Sequence, residues 1–151
     1  MTQVMDARDR LGRAGDLPGL LEAAHQGFAA ALTALRACED PGSVWFGRFV
    51  MAAAAAADGR DALLFTPSLP AHASPGLRDM GEEPQAGTAG SDGGEDRAGR
   101  VAGDIAAFCG LAAVRLARAA SRPPDPGDQA ACARAAGCAR RICELLAGGG
   151  T

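Results

Sequence analysis

Val44-Trp45-Phe46-Gly47-Arg48-Phe49-Val50-Met51, followed by alanine at every position from Ala52 to Ala57, carries one charge, Arg48. Ser43 precedes this run as a natural N-cap, because its hydroxyl can accept an early helical N–H. Asp58-Gly59-Arg60 reads as its end, with one further turn over Asp61 to Phe65. A helix with almost no polar face belongs at the centre of a bundle, with neighbours on several sides. That reading places Phe46, Phe49, Val50 and Met51 in or near the core. The run is far too short to cross a bilayer, which needs about 20 apolar residues, and no other stretch reaches that length. No integral membrane span is expected.

Working towards the N-terminus, Leu17, Leu21, Ala24, Phe28, Ala31, Leu35 and Cys38 follow a three-four rhythm, the mark of an amphipathic helix. Asp16 is its expected N-cap, with Pro18 in the first turn, where a missing N–H is tolerated. Glu39-Asp40-Pro41-Gly42 ends it. A weaker helix over residues 1–16 shows Val4, Ala7, Leu11 and Ala14 at the same spacing. Towards the C-terminus, Val101, Ile105, Phe108, Ala112, Leu116 and Ala119 make a stripe that Leu111 and Val114 widen, stopped by Pro123-Pro124. The last helix carries Ala131, Ala135, Cys138, Ile142 and Leu145 on one face, with Asp128 as its expected cap. Between these halves, residues 67–96 contain ten glycines and prolines, six acids and one arginine. Such a composition cannot offset the entropy of ordering, so a disordered acidic insertion is expected there. Neither half has a core of its own. The expected fold is all-α: a compact bundle around a central hydrophobic helix, with residues 1–151 as one helical domain.

Composition narrows the function. Alanine fills 36 of 151 positions, tyrosine is absent and all 15 basic residues are arginine. Alanine favours helices and makes a thin core. The basic excess lies in residues 97–151, spread over two helices rather than gathered on one face, so nucleic acid is not expected as a partner. Five cysteines, Cys38, Cys109, Cys132, Cys138 and Cys143, form no C-x-x-C pair and read as free, partly buried thiols in a reducing, cytoplasmic setting. His25 has no neighbouring nucleophile and reads as a surface residue. No phosphate-binding, dinucleotide-binding or zinc-protease motif is present. Neither an enzyme, a cofactor nor a metal site is expected.

Arg48 is the residue that attracts a functional reading, as a lone charge in the most apolar helix. It sits either on a thin solvent-facing edge, or in an internal ion pair with Asp16 or Asp104, or at a groove rim where it receives an acidic group from a partner.

Two resemblances bear on this choice. Leu11-Gly12-Arg13-Ala14-Gly15-Asp16 resembles the Leu-x-x-x-Gly-Asp core of the third homology motif of the B-cell lymphoma family of apoptosis regulators, with Leu11, Gly15 and Asp16 at the motif positions. Gly47-Arg48-Phe49-Val50 resembles the Gly-Arg-x-Val part of that family's first homology motif, Phe46 taking the aromatic position and Trp45 standing where the family has asparagine. Asp104 to Phe108 resembles the helix that packs beside the central one. The order of these segments agrees with the family over roughly residues 7–122, and the degree of divergence resembles a viral homologue. The resemblance implies a surface groove that holds an amphipathic pro-apoptotic helix and thereby inhibits programmed cell death. Phe28, Leu32, Leu35, Phe46, Phe49 and Val50 would form its floor and walls, with Trp45 and Gly47 beside them and Arg48 at the rim. Contact with intracellular membranes would come only through a partner. Separately, Trp45-Phe46-Gly47 resembles the Trp-x-Gly turn of small helical-hairpin proteins of the type seven secretion system. The competing expectation is therefore a helical interaction module that closes a homodimer.

Overall fold

The computed structural model describes residues 2–70, 93–122 and 125–148. Five helices make up the described chain: α1 (Thr2–Arg13), α2 (Leu17–Ala37), α3 (Phe46–Leu64), α4 (Gly94–Ala120) and α5 (Pro126–Ala147). None is long and apolar enough to cross a membrane. Asp16 caps α2 as expected: its carboxylate accepts the Gly19 N–H at 2.9 Å, and Pro18 occupies the first turn. The expected α1 stripe is real, with Val4, Ala7 and Leu11 all buried.

Packing runs in the cyclic order α1, α2, α3, α5, α4 and back to α1, and α2 also touches α4 across the middle. The helices with three neighbours are thus α2 and α4. Their crossing is built from an edge-to-face pair, Phe28 on Phe108, with ring centroids 5.8 Å apart and planes at 88°. Two glycines make room for it. A Cβ on Gly27 would lie 2.1 Å from the Phe108 ring, and one on Gly59 would lie 2.8 Å from the Phe28 ring. Gly59 therefore does not end α3. It is the seat through which α3 approaches α2, and the helix continues to Leu64.

The apolar run is not the centre of the bundle. α3 touches only α2 and α5. It buries Phe49 and four of its seven alanines, but Val50 is 42% exposed and Met51 47%. Alanines give a helix uniform hydrophobicity without bulk, so periodicity could not say which side faced inward. Its start also differs: the Ser43 hydroxyl accepts the Trp45 N–H at 3.1 Å, forming a turn before the helix rather than a cap within it.

The termini of α4 and α5 correct three further expectations. Residues 94–96, read as part of the acidic insertion, form the first turn of α4, where Glu95 and Asp96 suit the positive end of the helix dipole. Of that insertion, 71–92 lies outside the described residues. Asp125, not Asp128, caps α5, accepting the Gly127 N–H at 2.7 Å. Asp128 is buried and holds Ser68, whose hydroxyl donates at 2.6 Å and whose N–H donates at 3.2 Å. The segment after α3, also assigned to the insertion, is thereby tied to the start of α5. Val114 is half exposed and does not widen the α4 stripe. On α5 the inward line is Cys132, Ala135, Ala136, Ala139, Ile142 and Leu146, so Ala131, Cys138 and Leu145 lie at its margin.

Candidate functional site

Within α3 and its C-cap, every exposed position falls at a spacing that keeps one helical face: Gly47, Val50, Met51, Ala54, Asp58, Asp61 and Phe65. The N-terminal half of this stripe is apolar, and the C-terminal half carries two carboxylates before ending on Phe65, which is 88% exposed. Val44, in the turn before the helix, is 82% exposed and extends the apolar half. Exposed single hydrophobes are ordinary; here Val44, Val50 and Met51 lie together at one end of the helix.

Aromatic packing shapes the upper end of the face. Trp45 and Phe49 lie 5.5 Å apart between ring centroids, tilted at 34°. Phe49 is fully buried, so it anchors Trp45 half in and half out of solvent. The Arg48 guanidinium sits 5.8 Å from the centre of the Trp45 ring, within the range of a cation–π contact. It pairs with neither Asp16 nor Asp104. Among the described residues the ion pair present is Arg60 with Asp61, at 3.0 Å. Arg48 is therefore half-exposed, stacked on Trp45 and without a carboxylate partner among the described residues.

At the lower end, α3 and α5 leave a cleft of about 570 Å³, walled by Asp58, Asp61 and Phe65 on one side and by Arg134 and Cys138 on the other. Burial pushes the Cys138 thiol up, with Asp58 adding to the effect. Burial likewise raises Cys143, Cys109 far more, and Cys132 to about 11. Thiols held in this way stay protonated at neutral pH and are poor nucleophiles. No group of three metal-ligating side chains occurs among the described residues.

Phe28, Leu32, Leu35 and Phe49, which the family resemblance places in the floor and walls of a groove, are buried inside the bundle. Trp45, Phe46, Gly47, Arg48 and Val50 come together at the upper end of α3, outside that core. Leu11 is fully buried, while Gly15 and Asp16 stand at the α1–α2 junction, away from α3. Residues the sequence reading missed are Met51, Ala54, Asp58, Asp61 and Phe65. Their three-four spacing was visible, but which face looked outward was not.

His25 is the other correction. It is buried, and neither ring nitrogen has a hydrogen-bond partner among the described residues. Burial lowers its pKa, nearby Arg60 lowers it further and Asp61 opposes both. It follows Ala24 on the inner side of α2, where the neighbouring α3 covers it.

No family model, curated protein or solved structure matches this chain.

Proposed function

We propose that the protein is a helical interaction module that self-associates through the outer face of α3. The observation that carries this reading is the stripe itself: Val50, Met51 and Ala54 open to solvent, with Arg48 at one end and Asp58 and Asp61 at the other. Two such faces are complementary when antiparallel. Arg48 and Asp58 are ten residues apart, about 15 Å along the axis. A two-fold axis near Ala53 brings Arg48 of each copy to the level of Asp58 of the other. Such an interface is isologous, each contact made twice. Gly47 and Ala54 are small enough to let the backbones approach, and covering Val44, Val50 and Met51 gains about 25 cal/mol for each Å² removed from water.

Sedimentation equilibrium tests the reading. The parent chain is expected to dimerise, and Val50→Asp to be monomeric with an unchanged melting temperature. Arg48→Asp and Asp58→Arg should each weaken the dimer, and the two together should restore it. A parent chain that stays monomeric at high micromolar concentration defeats the proposal.

A second reading is favoured by the state of Arg48, which has no carboxylate partner among the described residues and so could accept one from a pro-apoptotic helix. Such a helix would lie across the upper end of α3 or require the core to open. Calorimetric titration with pro-apoptotic helix peptides tests it: binding that Arg48→Ala abolishes supports an apoptosis-regulating role, and no binding removes it.

A further inference from the structure

A second feature lies on the opposite side of the bundle, where the α1–α2 junction meets the end of α4. A hollow of about 340 Å³ opens there, floored by Leu17, Leu20 and Ala119 and lined by Arg115, Arg118 and Arg122. Its volume falls at the lower end of small-molecule sites. The formal net charge of the chain is −3, yet three arginines gather here around a single acid, Asp16.

The three arginines differ in what they already do. Arg115 is committed: its guanidinium donates to the Gly12 carbonyl at 3.2 Å and to the Ala14 carbonyl, closing the C-terminal end of α1. Asp16 is committed as well, to the Gly19 N–H. Arg118 and Arg122 have no ion-pair partner among the described residues. The helix dipole favours a cation in the last turn of α4, which accounts for Arg118. Arg122 lies two residues beyond the last helical residue, Ala120, and lines the same hollow. Both guanidiniums are exposed and line the same hollow, so an anion placed between them meets two sets of donors beside an apolar floor.

We propose that this hollow binds a small organic oxyanion, a carboxylate or phosphate monoester carrying a short apolar group. Its oxyanion sits between Arg118 and Arg122, where the planar fork offers paired N–H donors. Its apolar part lies on Leu17, Leu20 and Ala119. Because Arg115 ties the hollow to α1, occupancy should also slow the opening of the α1–α2 junction.

Calorimetric titration with octyl phosphate and with octanoate, both below micelle-forming concentration, tests this. One-to-one binding of at least one probe is expected, at least tenfold tighter than inorganic phosphate or octanol, and weaker at high salt. The two probes distinguish a phosphate from a carboxylate ligand. The Arg118→Gln/Arg122→Gln variant should bind at least tenfold more weakly. Ala119→Phe should fill the floor and abolish binding; if that variant fails to fold, the glutamine pair decides. Equal binding of octanol, equal binding of inorganic phosphate, an unaffected glutamine variant, or no saturable binding at millimolar probe would each overturn the proposal. Adsorption to phosphatidylglycerol vesicles without binding of the soluble probes would overturn it too.

Discussion

The crossing of α2 and α4 and the N-terminal half of the outer face of α3 are both apolar, and they are used in opposite ways. At the crossing, two phenylalanine rings meet edge to face, and Gly27 and Gly59 remove the side chains that would keep them out. On α3, small residues stand where bulk would be needed to occupy a centre, and Val50 and Met51 are left outside. Position in a bundle is thus set by how bulk and notch match, not by how hydrophobic a helix is along its length.

The largest expected effect sharpens this contrast within one helix. Phe49→Ala should cost about 3–5 kcal/mol, since it empties a fully buried aromatic site. Val50→Ala, one residue along, should change stability by less than about 0.5 kcal/mol. Chemical denaturation of both variants measures the difference. Equal losses would mean that α3 is enclosed on all sides after all.

The glycine seats come next. Gly27→Ala should destabilise by about 1–3 kcal/mol, because the new methyl meets a phenylalanine ring that has nowhere to go. Gly110→Ala, exposed in α4 with open space at its Cβ, should instead stabilise by about 0.5–1 kcal/mol through helix propensity alone. A stabilising Gly27→Ala would show that the Phe28–Phe108 contact is loose, and combining it with Phe108→Leu should recover part of the loss.

Much of the crossing could be read from the chain, and little of the outer face could. Residue patterning located α2 and α4 because their stripes mix large apolar residues with charges: Leu21, Phe28 and Leu35 on one, Val101, Phe108 and Leu116 on the other. Asp16 was legible as a cap because the capping rule is local. α3 offered no such contrast. Its alanines leave the inward direction undetermined, and Gly59 looks like a terminator until the ring of Phe28 is seen against it. Ser68 and Asp128 are sixty residues apart, and no local rule joins them. His25 looked like a surface residue because its polar neighbours Glu22 and Gln26 suggested a wet face. Of the candidate site, Trp45, Gly47, Arg48 and Val50 were singled out on motif grounds, while the acidic half became visible only with the fold.

That same histidine supplies a smaller effect, at the border between the two regions. Its folded pKa lies below the ordinary 6.5, so as pH falls the unfolded chain takes up the proton first. Stability is complete above about pH 6.5 and is lost below it, until the buried ring itself is protonated. His25→Leu removes two unpartnered nitrogens and should flatten the stability profile between pH 7 and 5. An unchanged profile in the variant would locate the pH dependence elsewhere.

A small effect on stability is expected at Arg48. Its contact with Trp45 is a half-exposed cation–π pair, worth about 0.5–1 kcal/mol. Arg48→Ala should therefore lower the folding free energy by no more than that, and Trp45→Ala should then make the loss of Arg48 nearly neutral, since each residue is the other's contact. Association should respond differently. In the proposed dimer each Arg48 would meet a carboxylate of the other copy, so the alanine variant should weaken self-association more than it weakens the fold, and added salt should narrow the gap between parent and variant. Measuring both quantities on the same variants separates a residue that holds α3 in place from one that holds a partner. If Arg48→Ala lost several kcal/mol of stability and left association untouched, the upper end of α3 would belong with the α2–α4 crossing as part of the core, and the outer face would shrink to Val50, Met51 and the acidic half.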